Sequence, residues 1–587
     1  MSALESNLSD GKYGYDMVVS TTQASINATM KMYLNKNQGK EFIKAYVYNP
    51  DAKEGEKDYK EVEFSTLTEA LGFDPFSVPK GTPFSDDKIK KMLDQKFMFA
   101  FKTKLGLPDP SKFPVGSLPP VVEFNRGSSM VSYNLFCEEF QIIDLQPGGY
   151  SDGTWTNINQ DNDGAPWVTS FIVNIDLRTD NDENAFSKLP KEVQDKVKNL
   201  CPDTMFSIEQ LLLDMNTRQM QTAPTISRID DRSKAKYYLI NDYLNVYIKE
   251  VFPEDDYIMG FTIKPHTAPQ GKSSIIPTDL NLEVSPFTKN KADYNLYTLN
   301  YLVMTNDNSM PAPVPFDWNW VDKDQVTDYH GAMCIKKNIF VNFLRSILSP
   351  SLQNISLVPY ASINCSWPAS VKYSWGVNRE QSPQNYNVVN DGSSHVLSFS
   401  FTKEASDSDD IAPWPLWGNI SLKYSVTSDV YLEGNIIKSV TRGIARPHIN
   451  IEGGVTEGNF VNYLVTNSYA ISVDAQGNLS VSMVDGHPIF EDQSEKPDPD
   501  GWSKFVTLGD IDNLIDHIVN SIKGWFQQFL TGHDNQILAM LNGSDTWVFP
   551  GGRTFIFKDA QFSKHQDFFS YITYTDPGME ISEHLKY

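Results

Sequence analysis

The chain has 587 residues, 40% of them hydrophobic and 21% charged, with 34 Gly and 34 Pro. That apolar fraction excludes a disordered acidic chain, and the length predicts several ordinary domains or fewer large β-rich ones. Fifty Lys and Arg against 74 Asp and Glu leave a net charge of −24. So acidic a chain repels DNA, RNA and anionic lipid at long range, and no nucleic-acid partner is expected.

Cys137, Cys201, Cys334 and Cys365 form no CxxC or Cys–His cluster. They are expected to be buried free thiols in a reducing compartment. The opening MSALESNLSDGKYGYD has no basic region followed by an apolar core. That points to a cytoplasmic protein, with unconventional export left open. No run approaches the length of a membrane-spanning helix, so no integral membrane segment is expected.

In chain order, Tyr15, Met17 and Val19 alternate as in a strand. A helix follows in TTQASINATMKMYL, capped by Thr21 or Thr22, with Ile26, Met30, Tyr33 and Leu34 at helical spacing. FIKAYVYNP and YKEVEF read as extended, and helical character returns over Asp86–Lys104. The prolines of KLGLPDPSKFPVGSLPP stop that helix. VVEF, MVSYNLFCEEFQIIDL and WVTSFIVNIDL then read as strands.

A second helical zone is predicted from about Lys188 to Glu250, including SIEQLLLDMNTRQM and SKAKYYLINDYLNVYIKE. Residues 258–304 return to extended character, and a further helix is predicted over about Lys336–Leu348. From Ile355 to Val484 the chain reads as long antiparallel strands separated by Gly, Asn and Asp turns. Glu404–Asp410 and Glu491–Gly501 read as solvated acidic loops, with calcium binding as the alternative; neither has the ligand spacing of an EF-hand. The clearest helix covers 508–530, where Leu508, Ile511, Ile515, Ile518, Val519, Ile522, Phe526 and Phe529 trace an apolar stripe. The tail WVFPGGRTFIFKDAQFS and DFFSYITY closes as strand, turn and strand. Strands, helices, strands, one long helix and strands again make an α+β protein.

No nucleophile elbow, P-loop, dinucleotide fingerprint or HExxH is present. His266, His330, His448 and His487 have no neighbouring ligand at metal spacing. Adjacent carboxylates such as Asp255/Asp256 and Asp409/Asp410 are expected by chance among 74 acidic residues. No catalytic residue, metal or cofactor is expected, so the protein is read as a non-enzyme, with an unrecognised hydrolase left open.

Four segments together resemble the P47/OrfX group of clostridial toxin-cluster proteins, members of the tubular lipid-binding (TULIP) superfamily. They are GYDMVVSTTQASINATM (Gly14–Met30), LNYLVMTNDNSMP (Leu299–Pro311), GAMCIKKNIFVNFLRSILSPSL (Gly331–Leu352) and WVFPGGRTFIFKDAQFSKHQDFFSYITY (Trp547–Tyr574). The resemblance implies highly curved antiparallel sheets wrapped around long amphipathic helices. It also implies binding of lipids or other elongated hydrophobic ligands, without catalytic residues. Two TULIP-like modules are expected, an α+β one over 12–310 and a β-rich one over 311–587. Candidate lining positions come from the helix stripes: Ile26 and Met30, then Ile515, Ile518, Ile522 and Phe526. The same residues could serve only as core. The alternative function is a scaffold whose acidic surface takes a basic protein partner.

Overall fold

The computed structural model describes residues 2–36, 41–54, 58–114, 118–124, 130–146, 154–163, 166–180, 206–213, 225–226, 258–265, 275, 277–366, 370–412, 416–451, 454–474, 477, 479–495, 511–542 and 555–574. Within them the fold is mostly antiparallel sheet with few helices, an α+β arrangement.

Met17–Thr22 is short, rich in β-branched residues and buried at every position. Such a strand suits the middle of a sheet covered on both faces. It pairs with Thr298–Thr305 on one side and Gly331–Ile335 on the other. Pro277–Ser285 extends the first side, while Phe568–Tyr574 and Phe555–Phe562 extend the second, giving six strands. This central sheet draws its strands from both sides of residue 310.

Period-two alternation sends the side chains of this strand into two cores. Met17 and Val19 join the main hydrophobic cluster, whereas Val18 joins a smaller one with Phe316, Trp318 and Trp320. The helix after the strand starts at Gln23, and Thr22 Oγ1 accepts from the amide of Ser25 at 3.2 Å, as expected of a cap. Helix Lys337–Leu348 has no local side-chain cap. Asp567 supplies one from the far end of the chain, accepting from Lys337 N at 2.9 Å and Leu8 N at 2.6 Å. Burial pushes its carboxyl up to about 7, and the two amides offset part of that rise.

A second sheet runs in the order Ile258–Pro265, Phe206–Leu213, Val168–Asp180, Met130–Gln146, Phe97–Leu105, Glu41–Tyr48 and Tyr59–Val62. Two short helices, Phe64–Leu71 and Asp87–Asp94, cover part of it through Leu67, Leu71, Ile89 and Met92. The helix predicted over Asp86–Lys104 therefore stops at Asp94. Asp86 caps it, Lys96 takes φ 56°, and Phe97–Leu105 leaves as a strand. Its Phe99 and Phe101 meet the main core while Ala100 faces the other way. The helix Phe64–Leu71 was not expected.

In the zone expected to be helical from Lys188 to Glu250, Phe206–Leu213 is instead a strand paired on both sides. A short apolar run such as LLL suits either structure, and here neighbouring strands decide. Apart from Thr225–Ile226, the rest of that zone lies outside the described residues.

The C-terminal sheet has the longest strands, His395–Ile411, Leu416–Glu433 and Ile436–Ile451, followed by Val461–Val473 and Leu479–Met483. Gly434 and Asn435 form the two-residue turn between the second and third, Gly434 at φ 61°. The segment Glu404–Asp410 is not a loop. It continues a strand, and its acids bind backbone: Asp407 Oδ2 accepts from Ile363 N at 2.8 Å, and Asp409 Oδ2 from Cys365 N at 2.6 Å. These bonds hold the hairpin Leu357–Ser366/Ser370–Arg379 against the sheet. Of the second acidic stretch, Glu491 and Asp492 end a strand, and 496–501 lie outside the described residues.

The long helix is described over Ile511–Asn542, extending past the expected end at 530. Leu508 lies outside the described residues, as does the Pro-Gly-Gly stretch 550–552. Strands Phe555–Phe562 and Phe568–Tyr574 close the central sheet as expected.

Candidate functional site

Along the long helix, Ile518, Ile522, Phe526, Phe529, His533 and Ile537 are all buried. Their steps of three and four residues keep them on one face. That face meets the C-terminal sheet where Ile436–Ile451 carries small groups: Ser439, Thr441, Gly443 and Ala445 are buried in alternation. The small row leaves room for Phe526, whose ring lies edge-on to Tyr463 at 5.9 Å. The guanidinium of Arg379, from the neighbouring hairpin, sits over the ring of Trp525 at 5.6 Å. The helix is thus held between the sheet and the hairpin.

Val519, Trp525, Leu530 and Leu538 are half-buried and pack beside the stripe. The apolar surface of the helix is therefore wider than the part the sheet covers.

The six sequence candidates fall into two groups. Ile518, Ile522 and Phe526 lie in the main core on the long helix, and Ile26 is half-buried against the same core from Gln23–Lys36. Met30 and Ile515 lie on those helices, but their side chains are outside the described residues.

Polar groups interrupt the seam at His533. Tyr469 donates its hydroxyl proton to Asp534 Oδ1. Asn467 Nδ2 contacts both, at 3.0 Å from the Tyr469 hydroxyl and 3.1 Å from the Asp534 carboxylate. His533 Nδ1 lies 3.3 Å from the same hydroxyl. Burial lowers the imidazole to about 4, so it is neutral near pH 7. Burial also raises the Asp534 carboxyl, with the Tyr469 hydrogen bond opposing the rise. Burial, followed by the Asp534 carboxylate, moves the Tyr469 phenol upward. None of these four was singled out from the sequence. The signal lay in the stripe itself, since His533 follows Phe529 by four residues beyond the expected helix end.

Two other polar places differ in character. An open cleft of about 480 Å³ beside helix Lys337–Leu348 is lined by Arg345, Ser346, Ser349, Gln353 and Gln384 among others. Polar and apolar groups line it about equally, without the continuous apolar wall that suits an alkyl chain. In the central sheet, fully buried Glu283 accepts from Ser285 Oγ and Asn300 Nδ2, both at 2.7 Å. Burial pushes its carboxyl up to about 7, against those two hydrogen bonds.

Among the described residues no group of three or more His, Cys, Asp or Glu is placed to hold a metal ion. His448 instead meets Glu457 at 3.4 Å, and His330 is half-buried, with desolvation lowering its imidazole to about 4. His266 and Asp255/Asp256 lie outside the described residues. No helix among the described residues is long and apolar enough to cross a membrane.

No family model matches the sequence, and no curated protein matches it. Among solved structures, P47 of Clostridium botulinum E1 is similar at 12% identity and a TM-score of 0.41, over 96% of this chain and 100% of that one. A lipopolysaccharide binding protein is similar at 9% identity and a TM-score of 0.30, over 96% and 99%. Both likenesses are distant.

Proposed function

We propose that this chain binds an elongated hydrophobic molecule, such as a lipid, along the long helix Ile511–Asn542, without turning it over. In this reading the C-terminal sheet curves around the helix in the TULIP manner, and the ligand lies along the edge of the seam they pack between them. The observation that carries it is the apolar width of the helix. A buried stripe from Ile518 to Ile537 is flanked by half-buried Val519, Trp525, Leu530 and Leu538. An alkyl chain laid against those four would remove more apolar surface from water, at about 25 cal/mol per Å². Native mass spectrometry of the purified protein, with organic extraction, tests the reading. A stoichiometric apolar adduct is expected; no adduct, together with no uptake from a lipid panel, would overturn it.

A second reading is favoured by the strand Ile489–Asp492, whose four residues are all exposed. Ile489 and Phe490 offer apolar contact while Glu491 and Asp492 offer charge, which suits a basic protein segment. A specific partner whose affinity falls as salt rises is the expected result. Affinity indifferent to salt would count against it.

A further inference from the structure

His533 and Gln536 lie three residues apart on one face of the long helix, and each ends in an acceptor that no donor meets. His533 Nε2, Gln536 Oε1 and Asn467 Oδ1 are buried without a hydrogen-bond partner. The His533 side chain is fully buried and Asn467 is 3% exposed. The surrounding network settles which atoms these are for Asn467 and His533. Asn467 turns its amide N–H groups toward Asp534 and Tyr469, so its oxygen faces away from both. Tyr469 gives its one proton to Asp534, so the contact with His533 is made by the proton on Nδ1. That tautomer leaves Nε2 as a bare lone pair. The result is three unmet acceptors around the Tyr469–Asp534 hydrogen bond, two on one face of the helix and one on the facing strand Val461–Val473.

We propose that this acceptor cluster receives the hydrogen-bond-donating head group, a hydroxyl or an amine, of an otherwise apolar chain molecule. The inference rests on the hydrophobe-binding reading and names the head group that the reading leaves open. An alcohol or amine brings protons to acceptors whose desolvation is otherwise uncompensated. A carboxylate head brings only further acceptors and a negative charge beside Asp534.

The test titrates the delipidated full-length protein with hexadecan-1-ol, hexadecylamine and hexadecanoate near neutral pH, below their aggregation limits. The alcohol and the amine are expected to bind about tenfold or more tightly than the carboxylate. His533→Phe and Gln536→Leu should each remove most of that preference. Circular dichroism identifies a variant that fails to fold, in which case the other carries the result. Equal binding of all three probes, or a preference that survives in the folded variants, overturns the head-group assignment and leaves the parent reading standing. Binding of none overturns both.

Discussion

Phe526 of the long helix packs against Gly443 so closely that a β-carbon at Gly443 would lie 2.1 Å from its Cζ. The helix comes down onto the sheet at the one position of the strand with no side chain. Gly443→Ala is expected to cost about 1–3 kcal/mol through overpacking, and Phe526→Ala about 3–5 kcal/mol through the cavity it leaves. In the Phe526→Ala background the alanine at 443 should cost far less, because the ring it meets is gone. Denaturant unfolding of the four proteins measures the coupling; strictly additive losses would disprove the contact.

Asp407 and Asp409 reach the amides of Ile363 and Cys365, two residues apart on each strand. Both acids are partly exposed, so each bond is expected to be worth about 1 kcal/mol rather than the full charged-acceptor value. Asp407→Ala with Asp409→Ala should raise hydrogen exchange at the amides of Ile363 and Cys365 while the strand Leu416–Glu433 stays protected. Unchanged exchange at those two amides would contradict the assignment.

Glu283 gives a pH dependence of definite sign. Its carboxyl rises from 4.5 to about 7 on folding, so the folded chain holds the proton more tightly than the unfolded one. The stabilisation is full below about pH 4.5 and is lost as pH rises toward 7. Glu283→Gln keeps a carbonyl for Ser285 and Asn300 but cannot ionise. It should therefore gain stability relative to the parent between pH 5 and 8, read as a difference in thermal midpoint. His533 has the opposite sign, its contribution fading as pH falls from 6.5 toward about 4. His533→Phe should accordingly lessen the loss on the acid side.

Cys137 and Cys334 are buried free thiols, and Cys365 is buried as well. Burial pushes the Cys137 thiol up to about 11 and raises Cys334 well above its ordinary value. Neither should react with iodoacetamide in the native protein, and both should react fully after denaturation. Peptide mass spectrometry before and after unfolding reads the outcome. Rapid native labelling of either would show that its cover is open.

Patterns that repeat locally were legible in the sequence. The alternation of Met17–Thr22, the runs of the C-terminal sheet and the stripe through Ile518, Ile522 and Phe526 each report a face, because burial follows strand or helix periodicity. Where a segment suits two structures, neighbours decided. Phe97–Leu105 and Phe206–Leu213 are strands because partners wait on both sides.

The acidity that opened the sequence reading proved to have an inside as well as an outside. Composition and local periodicity by themselves determined a strong negative charge and an α+β chain, since these are sums and periods that need no contacts. The tertiary structure alone decided that Asp407 and Asp409 bind strand amides, that Asp567 caps a helix 230 residues away, and that Glu283 lies buried and Asp534 half-buried. The polar break at His533 belongs with these. A carboxylate or an imidazole acquires its role from the donors and the dielectric around it, and sequence neighbours supply neither.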